Sequence, residues 1–181
     1  MTWIKTELEG AWIFEPKVFA DHRGYFFESF NENSLGDTGI PAHFVQDNEA
    51  KSNRGVLRGL HYQVGENAQA KLVRVVVGEV LDVIVDMRPE SLTYGKHIGV
   101  RLSGANKRQL FVPKGFAHGY VVLEDNTIFC YKCDAPYDKA NEGGVKYDDP
   151  FLKIDWLLPA EELSLSEKDL VLPVFGEHKS F

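Results

Sequence analysis

Short stretches in which hydrophobic and polar positions alternate recur along almost the whole chain. An alternation with a period of two is typical of strands that bury one face. Turn-forming residues separate these stretches at 21–24, 65–67, 78–79, 104–106 and 124–126. Many short strands at this spacing favour an antiparallel sandwich or barrel over a parallel α/β sheet. The predicted strands are AWIFEPKVF, GYFFESF, HFVQDNEA, GVLRGLHYQ, KLVRVVV, EVLDVIVDM, HIGVRL, RQLFVP, GYVVL and TIFCYKC.

Helical periodicity is scarce and is confined to three short segments. Residues 31–38 and 159–163 each suit one short helix, and the sequence Ser-Glu-Lys-Asp at 166–169 is typical of the first turn of another. No repeat or low-complexity tract divides the chain, so we expect one all-β domain over residues 1–181. Its last residues, 176–181, are predicted to form a loose tail.

Composition and charge narrow the classes of function. Hydrophobic residues make up 44% of the chain and charged residues 26%, with a formal net charge of −7. No run of Lys or Arg provides the basic face that nucleic-acid binding needs, so no nucleic-acid partner is expected. The N-terminal sequence lacks the apolar core of a secretory signal, and no apolar run approaches the roughly 20 residues of a membrane helix. We therefore expect a cytoplasmic protein without a membrane partner.

The two cysteines, Cys130 and Cys133, form a Cys-x-x-Cys sequence. A redox motif of this kind places its thiolate at a helix N-terminus. Here the surrounding residues, TIFCYKC, predict a strand, on which positions three apart face opposite ways. We therefore expect two reduced structural thiols.

Two histidines lie in motifs with familiar spacing. His61 follows Gly55 in GVLRGLHYQ, and His118 ends PKGFAH. These spacings resemble the paired motifs of metal-binding cupins. Gln63 occupies the position of the second histidine of the first motif, and Lys71 that of its glutamate. A lysine ammonium has no lone pair and an amide is a poor ligand, so no metal is expected.

The remaining residues suit proton transfer next to a carbonyl group. An imidazole titrates near neutrality, so His61 is a candidate base. Lys71 can stabilise a developing oxyanion, and Tyr131 can donate a proton from the opposite side. Taken singly, each residue also fits a structural role: His61 and His118 as hydrogen-bonded histidines, Tyr131 as a strand aromatic, and Lys71 as a solvated lysine. Their joint occurrence favours catalysis.

Several longer stretches, in the same order, resemble the dTDP-4-dehydrorhamnose 3,5-epimerase family. The resemblance implies a cupin-like antiparallel jelly roll and a homodimer that exchanges its N-terminal strands. It also implies a dTDP-sugar substrate, epimerised at C3 and C5 without a cofactor. The matching stretches are EPKVFADHRGYFFESF, FVQDNEAKS, GVLRGLHYQ, AQAKLVRVVVGEVLDVIVDMR, KRQLFVPKGFAHGYVVL, YKC and LSEKDLVLP.

The resemblance assigns roles to individual residues. It makes His61 the base, Tyr131 the acid and Asp169 the carboxylate that orients His61. Asp82 is the alternative partner, because alternation places it on the interior face of a strand, where an acid needs a partner. The resemblance implies that ten further residues contact the substrate, Arg23 and Glu28 at the site of the partner subunit. The ten are Arg23, Glu28, Gln46, Asn48, Arg58, Lys71, His118, Tyr137, Glu142 and Lys168.

The local sequence around the base raises a geometric question. Arg58 and His61 have opposite parity, so a regular strand would point them to opposite faces. We therefore predict a bulge or bend near Gly59.

Three other functions remain open at this level. Relatives on this framework invert one centre or isomerise a keto-sugar. A metal-dependent cupin such as a dioxygenase would need the ligands that Gln63 and Lys71 replace. A non-catalytic protein would bind the sugar nucleotide without exchanging its protons.

Overall fold

The computed structural model describes residues 2–38, 40 and 43–181. These residues form thirteen strands, one α-helix (α1, Glu167–Leu170) and short 3-10 helices at Glu32–Thr38, Gly65–Asn67, Lys139–Asn141 and Ala160–Glu162. The strands are β1 (Thr2–Lys5), β2 (Trp12–Glu15), β3 (Phe19–Asp21), β4 (Gly24–Phe26), β5 (Gln46–Ser52), β6 (Leu57–Gln63), β7 (Lys71–Val77), β8 (Glu79–Asp86), β9 (His97–Ser103), β10 (Gln109–Val112), β11 (Phe116–Val122), β12 (Thr127–Cys133) and β13 (Glu142–Gly144).

Two large antiparallel sheets form the domain. One has the strand order β1-β2-β10-β7-β12-β5 and the other β13-β6-β11-β8-β9, while β3 and β4 form a separate hairpin. Most neighbours in each sheet are far apart in sequence, as β10 and β2 are, so the topology is of the jelly-roll kind rather than a meander. This confirms the predicted all-β antiparallel class with few short helices. Among the described residues, no helix is long and apolar enough to cross a membrane.

The hydrophobic core lies between the two sheets and follows the alternation in the sequence. Val73 of β7, Ile84 of β8 and Phe129 of β12 are almost fully buried in one cluster. Each such side chain contributes about 1.5–3 kcal/mol on burial. A second cluster, which includes Val83 and Trp156, lies where the C-terminal segment covers the outer face of the five-stranded sheet. The alternation therefore determines which face of each strand meets which layer.

Most predicted elements are present, with shifted boundaries. The predicted strand 11–19 is interrupted after Glu15, since Pro16 lacks a backbone donor, and resumes as β3. The predicted strand 24–30 ends at Phe26. The three predicted helical segments correspond to two 3-10 helices and α1, which Ser166 caps by accepting from the backbone N–H of Asp169. The strands β1 and β13 were not predicted.

The predicted irregularity at Gly59 is confirmed. In the β6–β11 ladder His61 pairs with His118 and Arg58 pairs with Tyr120, so β6 has one residue more than β11 between these pairs. Gly59 has φ of +109°, and a Cβ there would lie 2.6 Å from the backbone oxygen of His118. Only glycine fits this close approach. The extra residue brings Arg58 and His61 to the same cavity.

The C-terminal segment packs against the domain, including the residues predicted as a loose tail. The Tyr62 hydroxyl donates to the Lys179 carbonyl at 2.5 Å, and the Lys179 ammonium donates to the Ala140 carbonyl at 2.8 Å. The His178 ring lies 5.0 Å from that of Phe175, centroid to centroid. These contacts hold residues 178–179 in place rather than leaving them loose.

The two cysteines are free thiols on β12. Cys133 is buried, while Cys130 is partly exposed on the other face and donates to a Glu49 carboxylate oxygen at 3.7 Å. The strand prediction for this Cys-x-x-Cys sequence is confirmed, since both sulfurs lie on β12 rather than at the helix N-terminus that activates a redox thiolate.

Candidate active site

Two adjoining cavities open at one end of the space between the sheets. The first, of about 460 Å³, is lined by residues of β6, β11, β12 and the segment leading into α1. The second, of about 350 Å³, is lined mainly by β5, β6 and the segment before β13. His61, Lys71 and Tyr131 line both cavities, so these three residues lie where the two meet.

His61 is held by Asp169. The His61 Nε2 atom lies 2.6 Å from Asp169 Oδ1, and the two residues are 108 positions apart in sequence. An ionised carboxylate only accepts hydrogen bonds, so Nε2 carries the proton and Nδ1 has the lone pair. Among the residues that the structure describes, none hydrogen-bonds to Nδ1, which is therefore the basic atom of the ring.

Asp169 stays ionised although only 4% of its side chain is exposed. Burial by itself raises the pKa of the carboxyl group. Hydrogen bonds from His61, Ser166 and the backbone of Gly59 outweigh that effect, and the net pKa is lowered. The short helix α1 and its Ser166 cap thus place a charged acceptor directly behind the His61 ring.

Asp82 pairs with the other histidine. His118 Nε2 lies 2.9 Å from Asp82 Oδ2 and 3.1 Å from Oδ1, and both side chains are buried. Burial raises the pKa of Asp82, with His118 and Lys71 opposing the rise. The alternative in which Asp82 is the main partner of His61 is therefore wrong, and each histidine has its own carboxylate.

Lys71 is the cation at the junction of the cavities. It begins β7, and no described residue forms an ion pair or a hydrogen bond with its ammonium group. Desolvation lowers the pKa of Lys71, and the nearby acidic groups of Cys133 and Asp82 oppose that effect. A partly desolvated ammonium without a fixed partner is suited to meet negative charge on a ligand.

Tyr131 faces the cavities from the opposite sheet. It lies on β12, with Phe129 and Cys133 on the same face, as the alternation predicted. Burial raises the pKa of Tyr131 above its usual value of 10.0, with Arg58 opposing the rise. The phenol therefore keeps its proton at neutral pH and can donate it.

Arg58 lies at the rim of the first cavity. Its side chain is exposed, and Nη2 donates to Ser52 Oγ at 3.2 Å. The guanidinium also interacts with the phenol of Tyr120. Its further donors suit a planar or anionic acceptor. Ser52, at the end of β5, is a contact that the sequence analysis did not single out.

Four of the predicted nucleotide contacts line the second cavity: Gln46, Asn48, Tyr137 and Glu142. Gln46 donates to Asn48 Oδ1 at 3.0 Å, and the Tyr137 hydroxyl donates to Glu142 Oε2 at 3.0 Å. Lys168 donates to the other oxygen of Glu142. Because Tyr137 is 56% exposed, its ring is available for stacking.

Arg23 and Glu28 lie apart from both cavities. Arg23 sits at the turn of the β3–β4 hairpin, where it forms an exposed ion pair with Asp21 at 2.6 Å. Glu28 is exposed and accepts from Asn31 at 3.2 Å. Within a single chain, these two residues are therefore not part of the site.

The residues at the cupin motif positions do not fit a metal ion. The Gln63 amide is engaged by backbone groups, donating to the carbonyls of Asn67 and Pro136 and accepting from the N–H of Asp138. The Nε2 atoms of both histidines already face carboxylates. In the described part of the chain, no group of three or more His, Cys, Asp or Glu side chains is arranged to hold a metal.

Tyr120 and Ser166 also belong to the first cavity and escaped the sequence analysis. Tyr120 follows His118 by two residues, so alternation alone places it on the same face. Ser166 precedes Asp169 by three residues, the spacing of an N-cap. Both signals were in the sequence, but neither shows that the residue meets a cavity.

Comparisons with known proteins show which family and which fold this chain matches. Residues 5–177 match a sequence family described as dTDP-4-dehydrorhamnose 3,5-epimerase. A protein of that name from Shigella flexneri is 53% identical over 171 residues, 94% of this chain and 93% of the relative.

Two crystal structures are also similar. The dTDP-4-dehydrorhamnose 3,5-epimerase from Elizabethkingia anophelis superposes with a TM-score of 0.95 at 52% identity, covering 100% of this chain and 99% of that one. The dTDP-6-deoxy-D-glucose-3,5-epimerase from Legionella pneumophila, in complex with dTDP-4-keto-L-rhamnose, has a TM-score of 0.93 at 47% identity. That match covers 97% of this chain and 93% of the Legionella chain.

Proposed function

The chain belongs to the dTDP-4-dehydrorhamnose 3,5-epimerase family, and we propose that it converts dTDP-4-dehydro-6-deoxy-D-glucose to dTDP-4-dehydro-L-rhamnose by inverting C3 and C5. Members of this family are isomerases of dTDP-rhamnose biosynthesis with a cupin-like fold. The observation that carries the proposed chemistry is the His61–Asp169 contact of 2.6 Å beside a cavity that also contains Lys71 and Tyr131.

His61 is the base. Both C3 and C5 flank the C4 ketone, so their protons are acidified by the same carbonyl group. Nδ1 removes one of these protons, and the ring becomes an imidazolium whose Nε2–H donates to Asp169. The buried carboxylate lowers the energy of that charged ring and fixes its orientation.

Lys71 and His118 stabilise the enolate. When the C–H bond breaks, its electron pair moves into the ring and negative charge develops on the C4 oxygen. The Lys71 ammonium is a cation at this junction to which no described residue is hydrogen-bonded or ion-paired. The His118 imidazole, anchored by Asp82, is the second polar group at this end of the cavity. Preorganised donors of this kind supply much of the rate enhancement in proton abstraction.

Tyr131 is the acid. Its phenol donates a proton to the carbanion carbon from the face opposite His61, and the enolate returns to the ketone. The phenolate then regains a proton from solvent, while the His61 imidazolium releases one. The opposed placement of β6 and β12 on different sheets supports this assignment, because inversion needs groups on both faces of the sugar.

The second cavity suits the nucleotide. Gln46 and Asn48 offer amide donors and acceptors for a thymine edge, and the exposed ring of Tyr137 offers a stacking surface. Arg58 at the rim of the first cavity suits the diphosphate. We further propose a homodimer in which Arg23 and Glu28 reach the site of the other subunit, since their exposed hairpin does not reach the site of its own chain.

The decisive experiment is deuterium exchange. The purified protein is incubated with dTDP-4-dehydro-6-deoxy-D-glucose in D2O, and C3 and C5 are observed by NMR. Deuterium at both carbons with a rhamno-configured product supports the double epimerase. Deuterium at one carbon alone would identify a single-centre epimerase instead. Absence of exchange at both carbons, with dTDP still bound, would contradict the proposed reaction.

A further inference from the structure

Tyr120 is a cavity residue without a role in the proposed chemistry. It lies on β11, it is 5% exposed, and it lines the first cavity together with His118 and Phe129. Its ring stacks on Phe129 with centroids 4.0 Å apart and planes 16° apart. This stack fixes the ring, so the hydroxyl group has a defined position.

The hydroxyl of Tyr120 lies on the cavity wall beside the Arg58 guanidinium, which opposes the rise of its pKa by charge and by hydrogen bonding. The phenol oxygen keeps further capacity to donate and accept toward the cavity. It is also not sealed in the core: the one described buried side-chain polar atom without a partner is Nε1 of Trp3. By contrast, the hydroxyl of Tyr62 donates to a backbone carbonyl at 2.5 Å. A phenol that keeps its oxygen accessible on a cavity wall is positioned to meet a ligand.

Tyr120 lies deeper than its cross-strand neighbour Arg58, whose guanidinium extends toward the phenol. Tyr120 pairs with Arg58 in the β6–β11 ladder, but Arg58 is exposed at the rim while Phe129, beneath the Tyr120 ring, is 1% exposed. The guanidinium suits the charged diphosphate, which remains near water. The inner end of the cavity, next to the buried Phe129, suits a neutral group, because burying a charge there without a partner would be costly.

The order of residues along the two cavities leads to the same assignment. Gln46 and Tyr137 line only the second cavity, Tyr120 lines only the first, and His61 and Tyr131 lie between them. Tyr120 therefore lies away from the thymine contacts, in the cavity that also contains His118 and Arg58. Burial raises the pKa of Tyr120 to about 12, against the opposing charge of Arg58, so the hydroxyl keeps its proton at neutral pH.

We propose that Tyr120 is a specificity residue whose hydroxyl hydrogen-bonds to a hydroxyl group of the hexose. This inference rests on the proposed function, because it takes the ligand to be a nucleotide-linked hexose. The phenol both donates and accepts, so it can pair with a sugar hydroxyl in either direction. It acts on recognition of the sugar and not on the proton transfers.

Tyr120→Phe removes only the oxygen and keeps the ring stack. Calorimetry measures Kd for dTDP and for dTDP-glucose. Steady-state kinetics with dTDP-4-dehydro-6-deoxy-D-glucose measures kcat and KM. Because the variant loses one neutral hydrogen bond, we expect Kd for dTDP-glucose and KM to rise about three- to tenfold. We expect kcat and Kd for dTDP to change less than about twofold. The matched control is Tyr147→Phe, a partly buried phenol outside both cavities, which should alter none of these constants.

Two results would overturn the inference. An equal loss of affinity for dTDP and for dTDP-glucose would mean that the hydroxyl contacts the diphosphate or that the substitution damages the site as a whole. Unchanged affinity for both ligands would show that it contacts neither. An analogue of dTDP-glucose that lacks one hexose hydroxyl gives an independent test, since one such analogue should bind equally to wild type and variant. Deuterium exchange by the wild type tests the proposed function separately, so the two failures are distinguishable.

Discussion

His61 and Asp169 lie 108 residues apart in sequence, yet their side chains meet at 2.6 Å. The strand β6 presents the ring, and the helix α1 presents the carboxylate behind it. Asp82 has the same relation to His118, at 2.9 Å. Two histidines therefore face one cavity, and each is anchored by its own buried acid.

Loss of the base should stop turnover. His61→Asn keeps a polar side chain of similar reach but removes the proton acceptor, so we expect kcat to fall at least about 10³-fold. Binding of dTDP should change little, because the nucleotide contacts line the second cavity. Turnover is followed by product formation, and binding by calorimetry. His97→Asn, on β9 and outside both cavities, serves as the control. A variant with normal turnover would exclude His61 as the base.

Asp169→Asn should retain the fold around α1 but lose the negative charge behind His61. We expect kcat to fall by about 10²–10⁴-fold, with KM nearly unchanged, since the carboxylate orients and charges the base. Steady-state kinetics measures both constants. Asp148→Asn, a surface carboxylate paired with Lys146, is the control. A rise in KM with an unchanged kcat would contradict an orienting role.

The lowered pKa of Asp169 also predicts a pH dependence of stability. Its folded pKa lies below the unfolded value of 3.8, so the stabilisation is fully present above pH 3.8. It is lost as the pH falls through the lower folded pKa. The difference in unfolding free energy between wild type and Asp169→Asn should therefore shrink below pH 3.8. Urea titrations at several pH values measure it.

Removal of the acid should separate proton abstraction from inversion. Tyr131→Phe leaves His61 able to remove a proton, so deuterium should still enter the substrate, while formation of the inverted product falls about 10²-fold or more. NMR in D2O resolves both events. Tyr94→Phe, which alters a phenol that lines neither cavity, is the control. Because the pKa of Tyr131 is raised, any alkaline loss of rate caused by its ionisation should occur above pH 10.0. Normal inversion in the variant would remove Tyr131 from the mechanism.

The bulge should tolerate no side chain at position 59. Gly59→Ala combines a φ of +109° with a Cβ only 2.6 Å from the His118 carbonyl oxygen. We expect a loss of about 2–4 kcal/mol in unfolding free energy. Gly65→Ala has a positive φ of +67° but open space, so it should lose only about 1 kcal/mol. Chemical denaturation measures both, and equal losses would contradict a steric origin.

Exchange of the N-terminal hairpin predicts complementation between two defective chains. If Arg23 serves the partner's site, a hybrid dimer of Arg23→Ala and His61→Asn chains contains one intact site and one doubly defective site. Co-refolding equal amounts of the two variants makes about half of the dimers hybrids with one intact site each, so kcat/KM should rise toward about one quarter of the wild-type value. The control mixes His61→Asn with Asp169→Asn, which belong to one site within a chain, so every site of a hybrid keeps one defect and activity should not recover. Failure of the first mixture to exceed this control would place Arg23 at its own chain's site.

Sequence reasoning predicted the layers of this fold well because alternation specifies which face of a strand is buried. Val73, Ile84 and Phe129 meet in the core as the pattern required. The strands β1 and β13 were missed for different reasons. The sequence of β13, Glu-Gly-Gly, has no alternation, and its pairing depends on the neighbouring β6. The edge strand β1 is largely exposed and so lacks a buried face to mark it.

Local spacing determined the candidate chemistry of this protein. The order of motifs around His61 and His118 is a property of the chain alone, as is the replacement of metal ligands by Gln63 and Lys71. The bulge near Gly59 also followed from the sequence, because the parity of two neighbouring side chains conflicts on a regular strand.

Only the tertiary structure decided which acid serves which histidine. Asp82 and Asp169 were both plausible partners of His61, and hydrogen-bond distances between residues far apart in sequence depend on how sheets and helices pack. The same applies to Tyr120, because residues of four other strands, β5, β6, β7 and β12, form the cavity that its side chain lines. Sequence periodicity specifies the face of a strand, whereas the partners across that face are set by the packing of the whole domain.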